Sequence, residues 1–370
     1  MSAREEDVVL KIGIIGCGKI AEVRHAPEYA ENPHVELVAF CDTDDDRAQA
    51  LADTYGGRAY PGVAELLDSG VDAVSVCVAN HLHAEVTIQA LEAGKHVLCE
   101  KPMSTSAAES QAMLEAADRS GKQLMVGLNQ RYAKAHVEAK AILDSGRLGE
   151  VLAFRTAFCH PGPEGWTGRK DSWFVDRRAA SFGVMADLGV HKTDLIHYLT
   201  GQRIVRTTAV LATLDKTLPD GSPIGVEDNA MAIYTLESGA VGGLHVSWTN
   251  YGAEVNATQI YCTKGVLRLY DDPEFSLVVE TPDGVERSAL DRLTSNKAQT
   301  SGGRTSTGVI DAFVDSIRTG VPPVASGSSA AHAMDVIFAN QRSAESGAAV
   351  DVPTGPGVLG LGVGDALIGA

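Results

Sequence analysis

The chain has 370 residues, 44% hydrophobic and 21% charged, enough to build a large core in roughly two or three domains. Its net charge of −17 at pH 7 excludes bulk attraction to nucleic acid or an anionic membrane, and leaves only local anion sites such as helix N-termini. No apolar stretch is long enough to span a bilayer, and the charged start from Met1 to Asp7 does not read as a signal peptide, so a cytoplasmic protein is expected.

The first 130 residues alternate strand and helix patterns. Val8–Ile15 reads as a strand that ends in the turn Gly16-Cys17-Gly18-Lys19-Ile20-Ala21, and a helix follows. Val35–Phe40 is the next strand and ends at Asp42; Thr43 then reads as an N-cap, with Asp46 at the capping-box position and Gly56-Gly57 closing the helix. Ala73–Val78 is continuously apolar, as suits a strand buried on both faces. Helix His83–Ala93, strand Val97–Cys99, helix Ser106–Ser120 and strand Gln123–Val126 complete the series. This alternation implies a doubly wound parallel sheet, a Rossmann-type unit over residues 1–130.

The pattern changes near Gly127. After a helix around Lys134–Leu143 come alternating runs that read as antiparallel strands: Val151–Cys159, Arg206–Leu214, Ala230–Leu236, Val241–Trp248, Ala257–Cys262 and Val266–Tyr270. One strong helix, Val184–Leu199, interrupts them, and two late helices near Val309–Thr319 and Ala330–Ser346 pack back on the body. Residues 131–352 therefore read as a second α/β domain with a large open, mostly antiparallel sheet. Residues 353–370 are Gly-rich and read as a weakly ordered tail. The six cysteines show no CxxC spacing and read as reduced, buried thiols, and no metal site is expected.

A glycine turn between strand and helix lets a backbone approach a pyrophosphate, and the helix start supplies amide donors. Gly16, Gly18, Lys19 and Ile20 are the candidates here. Asp42 lies at a strand end about 20 residues further on, where a carboxylate accepts ribose hydroxyls and repels a 2′-phosphate; this favours NAD over NADP, and Arg47 softens the preference. The alternative is a tight turn in an α/β domain that binds no nucleotide, with Asp42 as a helix cap.

Ligands in such folds bind outside the carboxyl ends of the strands. Ala79, Asn80 and His83 follow one strand, and Glu100-Lys101-Pro102 follows another, so all should face the crevice. Asn80 suits either the cofactor ribose or a cap, and His81 and His83 suit a turn. A fixed Lys101 ammonium can hold the oxygen of a reacting alcohol or ketone. In the helix Val184–Leu199, Asp187, His191, Asp194 and Tyr198 share a face beside a core stripe. Two carboxylates flanking one imidazole are expected to raise its pKa for acid–base work. The bland reading is a buried histidine satisfied by its neighbours.

Together these residues resemble the glucose–fructose oxidoreductase / inositol dehydrogenase / rhizopine catabolism family, over about residues 8–352. The resemblance rests on the turn at 16–21, on Glu100-Lys101-Pro102, on the run from Ser181 through Asp187 and His191 to Asp194, and on Phe313-Val-Asp-Ser-Ile317. It implies a Rossmann domain followed by a domain whose open sheet builds homodimers or homotetramers. It also implies NAD as cofactor, a catalytic trio of Lys101, Asp187 and His191, Arg131 near nicotinamide and substrate, and Asp194 on substrate. Trp166, Trp173 and Phe174 can stack on a sugar or serve as core or subunit contacts. Two departures stand out: Val78-Ala79 where the family often has Thr-Pro, and Ser181-Phe182-Gly183 where it has three glycines. The expected activity is NAD-dependent oxidation of a secondary hydroxyl on a cyclic polyol, sugar or glycoside. The rivals are an NAD-retaining glycosidase or lyase working by transient oxidation, and a non-catalytic NAD-binding regulator.

Overall fold

The computed structural model describes residues 9–293 and 307–353; the charged start and the Gly-rich segment from 354 onward lie outside the described residues. Two sheets organise the chain. The first has the order β3-β2-β1-β4-β5-β6. Its strands are β1 (Leu10–Ile15), β2 (Val35–Cys41), β3 (Arg58–Tyr60), β4 (Ala73–Val76), β5 (His96–Cys99) and β6 (Leu124–Val126), all parallel. Every residue of β4 is buried, because helices cover both faces. The order reverses at β1/β4, and a crevice opens there at the carboxyl ends of the strands.

Helices α1 (Ala26–Glu31), α2 (Asp45–Tyr55), α3 (Val63–Leu67), α4 (His83–Glu92) and α5 (Ala107–Ser120) connect the strands. Helix α2 begins later than its sequence suggests. Asp42 Oδ1 accepts from the Asp44 amide at 2.9 Å and from the Thr43 hydroxyl at 3.4 Å. That side-chain turn holds Thr43 outside the helix, and Asp44 takes the N-cap position without a capping bond. By contrast, Ser106 and Glu109 form a reciprocal capping box at the start of α5.

After α6 (Lys134–Asp144) the chain enters the second sheet, of order β14-β13-β12-β11-β7-β10-β9-β8-β15. Its strands are β7 (Val151–Cys159), β8 (Ile204–Ala212), β9 (Asn229–Leu236), β10 (Val241–Ser247), β11 (Val255–Cys262), β12 (Gly265–Leu269), β13 (Leu277–Thr281), β14 (Gly284–Ser288) and β15 (Val350–Asp351). The sheet is antiparallel except at its centre, where β10 runs parallel to β7. The long excursion between β7 and β8 permits that crossover. It carries α7 (Glu164–Thr167), α8 (Arg177–Ala180) and the site helix.

The site helix differs most from its sequence reading. It begins as a π-helical turn, Met185–Gly189, and continues as α9 (Val190–Thr200) to Gly201. It is not amphipathic: Val190 through His197 are all buried, Lys192 and Asp194 included. It lies between the second sheet, α6 and the last helix, so it has no solvent face. The chain closes with α10 (Val309–Thr319) and α11 (Gly327–Ser346). Helix α11 packs on α5 and β6 of the first unit and on α9 and β8 of the second.

Candidate active site

The crevice is a cavity of about 1130 Å³ between the two sheets. This exceeds the roughly 300–1,000 Å³ usual for one small ligand, so there is room for a cofactor and a second molecule. Strand β1 delivers the glycine turn. Gly16 has φ +91°, and a Cβ there would meet the Cys77 backbone at 2.6 Å, so only glycine fits. Gly18 is the opposite case. It lines the crevice, and a Cβ built on it meets nothing within 4 Å. A bare backbone thus faces open space at a helix start, the arrangement that accepts a pyrophosphate.

Lys19, Ile20, Arg47, Asn80, His83 and Glu100 also line the crevice, as expected. Each has a protein role as well. Lys19 pairs with Glu22, and Arg47 with Asp44, both at 3.2 Å. Asn80 donates to the Ala180 carbonyl at 3.0 Å and so ties the first unit to the second. The His83 ring lies between the carbonyls of Pro102 and Val78. Glu100 meets His25 at 2.8 Å; burial alone would raise its pKa, but the hydrogen bond and charge of His25 outweigh this and hold it at about 2.

Gly16, Ala79 and Asp42 are not on the crevice wall. Asp42 braces the glycine turn instead: its Oδ2 accepts from the Cys17 amide at 2.6 Å. The carboxylate keeps further lone pairs, so this bond leaves room for a hydroxyl.

The expected trio does assemble. Lys101, Asp187 and His191 line one wall although they arrive from β5, the π-turn and α9. Lys101 Nζ donates to Asp187 Oδ1 at 2.7 Å and to its carbonyl at 3.0 Å. The second carboxylate oxygen accepts from the Trp248 indole at 3.0 Å. Burial would raise the Asp187 pKa, but the Lys101 charge, His160 and these hydrogen bonds bring it below the usual range.

The expected rise of the His191 pKa is not found. That pKa falls to about 3, first through burial and then through the Lys101 charge. Neither carboxylate is available to it, since Asp187 is engaged by Lys101 and Trp248, and Asp194 by Arg131. His191 Nδ1 has no hydrogen-bond partner among the described residues.

Arg131 and Asp194 do not line the crevice. They form a buried two-pronged ion pair, Nε to Oδ2 at 2.7 Å and Nη2 to Oδ1 at 2.5 Å, and Arg131 Nη1 donates to the Val324 carbonyl at 2.7 Å. Burial opposes the Arg131 charge, but Asp194 outweighs it and raises its pKa. The pair joins the loop after β6 to α9 and the segment before α11.

Trp173 and Phe174 both line the crevice, their rings stacked 4.0 Å apart at 21°. The side chain of Trp166 lies outside the described residues. Sequence reasoning missed Trp248, which is fully buried at the end of β10, and Phe158, whose ring lies on the cavity wall 6.4 Å from His191. Nothing local marks Trp248. Its role depends on β10 lying parallel to β7.

Residues 10–128 match the model described as "Oxidoreductase family, NAD-binding Rossmann fold", and residues 136–268 match "GFO/IDH/MocA C-terminal domain". D-glucoside 3-dehydrogenase of Escherichia coli (strain K12) is 34% identical over 54% of this chain, and the match spans 56% of that relative. Myo-inositol 2-dehydrogenase of Thermotoga maritima is 25% identical over 91% of this chain and 96% of its own length. A levoglucosan dehydrogenase solved with NADH and levoglucosan is similar with a TM-score of 0.82 and 25% identity, covering 93% of this chain and 99% of that one. With both halves matched and the site assembled, the chain belongs to the GFO/IDH/MocA family of NAD-binding oxidoreductases.

Proposed function

We propose that this chain is an NAD-dependent dehydrogenase that oxidises a secondary hydroxyl of a cyclic polyol, sugar or glycoside. The supporting observation is Lys101 held at 2.7 Å by a charged Asp187, in one crevice with His191 and the open glycine turn. The similar proteins named glucoside, inositol and levoglucosan dehydrogenase point to the same substrate class.

NAD would lie along Gly18, Lys19 and Ile20 and supply the hydride acceptor. The Lys101 ammonium would hold the substrate oxygen as negative charge develops. Asp187 fixes the direction of that ammonium, and Trp248 fixes Asp187. His191 is neutral in the resting protein and can take the hydroxyl proton. Because its charged form is disfavoured, the proton it takes would be released to solvent water once the ketone leaves. Asp42 favours the unphosphorylated adenosine ribose. Trp173 and Phe174 offer aromatic faces to a sugar ring.

The second sheet supports homodimer or homotetramer assembly. Its outer face exposes Val210, Met231 and Ile233 at 67%, 58% and 63%. Six free, buried cysteines fit a reducing, cytoplasmic setting. The test is a panel of inositols, sugars and glycosides followed by NADH absorbance. Net NADH formation supports a dehydrogenase. Bond cleavage without NADH release identifies the NAD-retaining alternative, and silence over the panel revives the regulator.

A further inference from the structure

Two adjacent carboxylates, Glu227 and Asp228, stand just before β9 and are buried, at 6% and 0% exposure. Both bind backbone amides, and they do so in different directions. Glu227 reaches the start of the site helix. Its Oε1 accepts from the Gly183 amide at 2.8 Å and the Met185 amide at 3.1 Å, and its carbonyl oxygen accepts from the Val184 amide at 3.0 Å. One residue thus satisfies three successive amides at a helix start, where a carboxylate is favoured. The approach needs a glycine, because a Cβ on Gly183 would meet the Glu227 carbonyl oxygen at 2.0 Å. These amides lead straight into the π-turn that carries Asp187.

Asp228 serves a different segment. Its Oδ1 accepts from the Leu214 amide at 2.8 Å, and its Oδ2 from the amides of Asp215 at 2.9 Å and Lys216 at 2.8 Å. The turn so held aims Lys216, whose Nζ donates to the Pro161 carbonyl at 2.5 Å and pairs with Glu164. Pro161 and Glu164 open the loop that brings Trp173 and Phe174 to the crevice.

We propose that Glu227 and Asp228 are positioning residues of the active site: Glu227 fixes Asp187, and through it Lys101, by way of the site helix, and Asp228 fixes the aromatic loop by way of Lys216. This rests on the dehydrogenase reading of the crevice. The Glu227 carboxylate bonds the helix start and not the turn at 214–216; the Asp228 carboxylate bonds that turn and not the helix. Loss of the first should therefore disturb the chemical step, and loss of the second the capture of substrate.

The test uses three variants. Glu227→Asp withdraws the carboxylate by one methylene, Glu227→Gln keeps an acceptor for both amides, and Asp228→Asn sets side-chain N–H donors against amide donors. Glu227→Asp should lower kcat by about ten- to a hundredfold, the scale of a small misplacement, with sugar KM and NADH affinity near wild type. Glu227→Gln should keep most of kcat. Asp228→Asn should raise sugar KM by about tenfold, the scale of one lost charge-assisted hydrogen bond, with kcat little changed. Wild-type kinetics in both Glu227→Asp and Asp228→Asn would overturn the proposal. So would losses of kcat, sugar KM and NADH affinity together in every variant, which would make both residues merely structural. A second readout needs no turnover: the indole N–H signals of the three tryptophans in an NMR spectrum, assigned from Trp248→Phe and Trp173→Phe. Glu227→Asp should move the Trp248 signal, Glu227→Gln should restore it, and Asp228→Asn should move the Trp173 signal. If wild type oxidises no sugar and these shifts appear, the dehydrogenase reading fails while the positioning assignment stands. If sugar is oxidised and the shifts do not appear, the positioning assignment fails alone.

Discussion

Lys101 and Asp187 make a contact at 2.7 Å in the crevice, so each fixes the direction of the other. Lys101→Ala and His191→Ala should each lower kcat by about a hundredfold or more, the scale for losing a positioned acid–base group, with NADH binding little changed. Near-normal kcat in His191→Ala, read by steady-state kinetics, would reduce His191 to a structural role. The pH dependence has a definite sign. A pKa of about 3 keeps His191 neutral through the physiological range. Alcohol oxidation should therefore show no histidine limb between about pH 5 and about pH 7. Ketone reduction needs the protonated ring, so it should speed up as pH falls across that same window. Paired forward and reverse profiles check this; an ordinary histidine limb in the forward direction would mean that substrate or cofactor has restored the charge. Asp42 holds the Cys17 amide at 2.6 Å, so Asp42→Ala should both weaken NAD use and erase its preference over NADP. The ratio of kcat/KM for the two cofactors measures it, and an unchanged ratio would leave Asp42 as a brace alone.

At the scale of elements, the informative units are the π-turn and the ion pair behind it. The βα alternation was legible because strands and helices have different apolar periods. Lys101, Asp187 and His191 were legible because their motifs place them. What could not be read was which side each residue faces. A regular helix puts Asp187, His191 and Asp194 on one face, but the wide turn at Met185–Gly189 changes the phase, so Asp187 meets Lys101 and Trp248 while Asp194 meets Arg131. Pairings such as Arg131–Asp194 join distant positions and leave no local signal. That pair is buried on both sides, at 4% and 2% exposure, so Asp194→Ala strands a buried guanidinium. The expected cost is about 3–5 kcal/mol, read as a lowered denaturant midpoint. A loss of kcat in a variant with unchanged stability would instead place Asp194 at the substrate.

At the scale of the whole molecule, the outer face of the second sheet is the feature that solvent does not suit. Buried and exposed residues alternate along β9, with Ala230, Ala232 and Tyr234 inward and Met231 and Ile233 outward. The proposed homo-oligomer would cover this outward apolar row. Ile233→Lys should shift the protein toward monomer in sedimentation equilibrium, with the crevice on the opposite face unaffected. A wild type that sediments as a monomer would refute assembly through this sheet.

Helix α11 sits under both units, and Asn340 near its middle donates to the Tyr234 hydroxyl at 2.7 Å and accepts from Thr207 at 2.6 Å. At its start, Ser326 bridges to Met125 of the first sheet. The first 130 residues thus borrow one of their covering layers from the far end of the chain. Ribosomal synthesis delivers that layer after both sheets are made, β15 apart. Until it arrives, Leu124 and Leu114 lack their contact with Gly327. The nucleotide-binding half therefore cannot mature ahead of its partner, and the protein should melt as one body rather than in two steps.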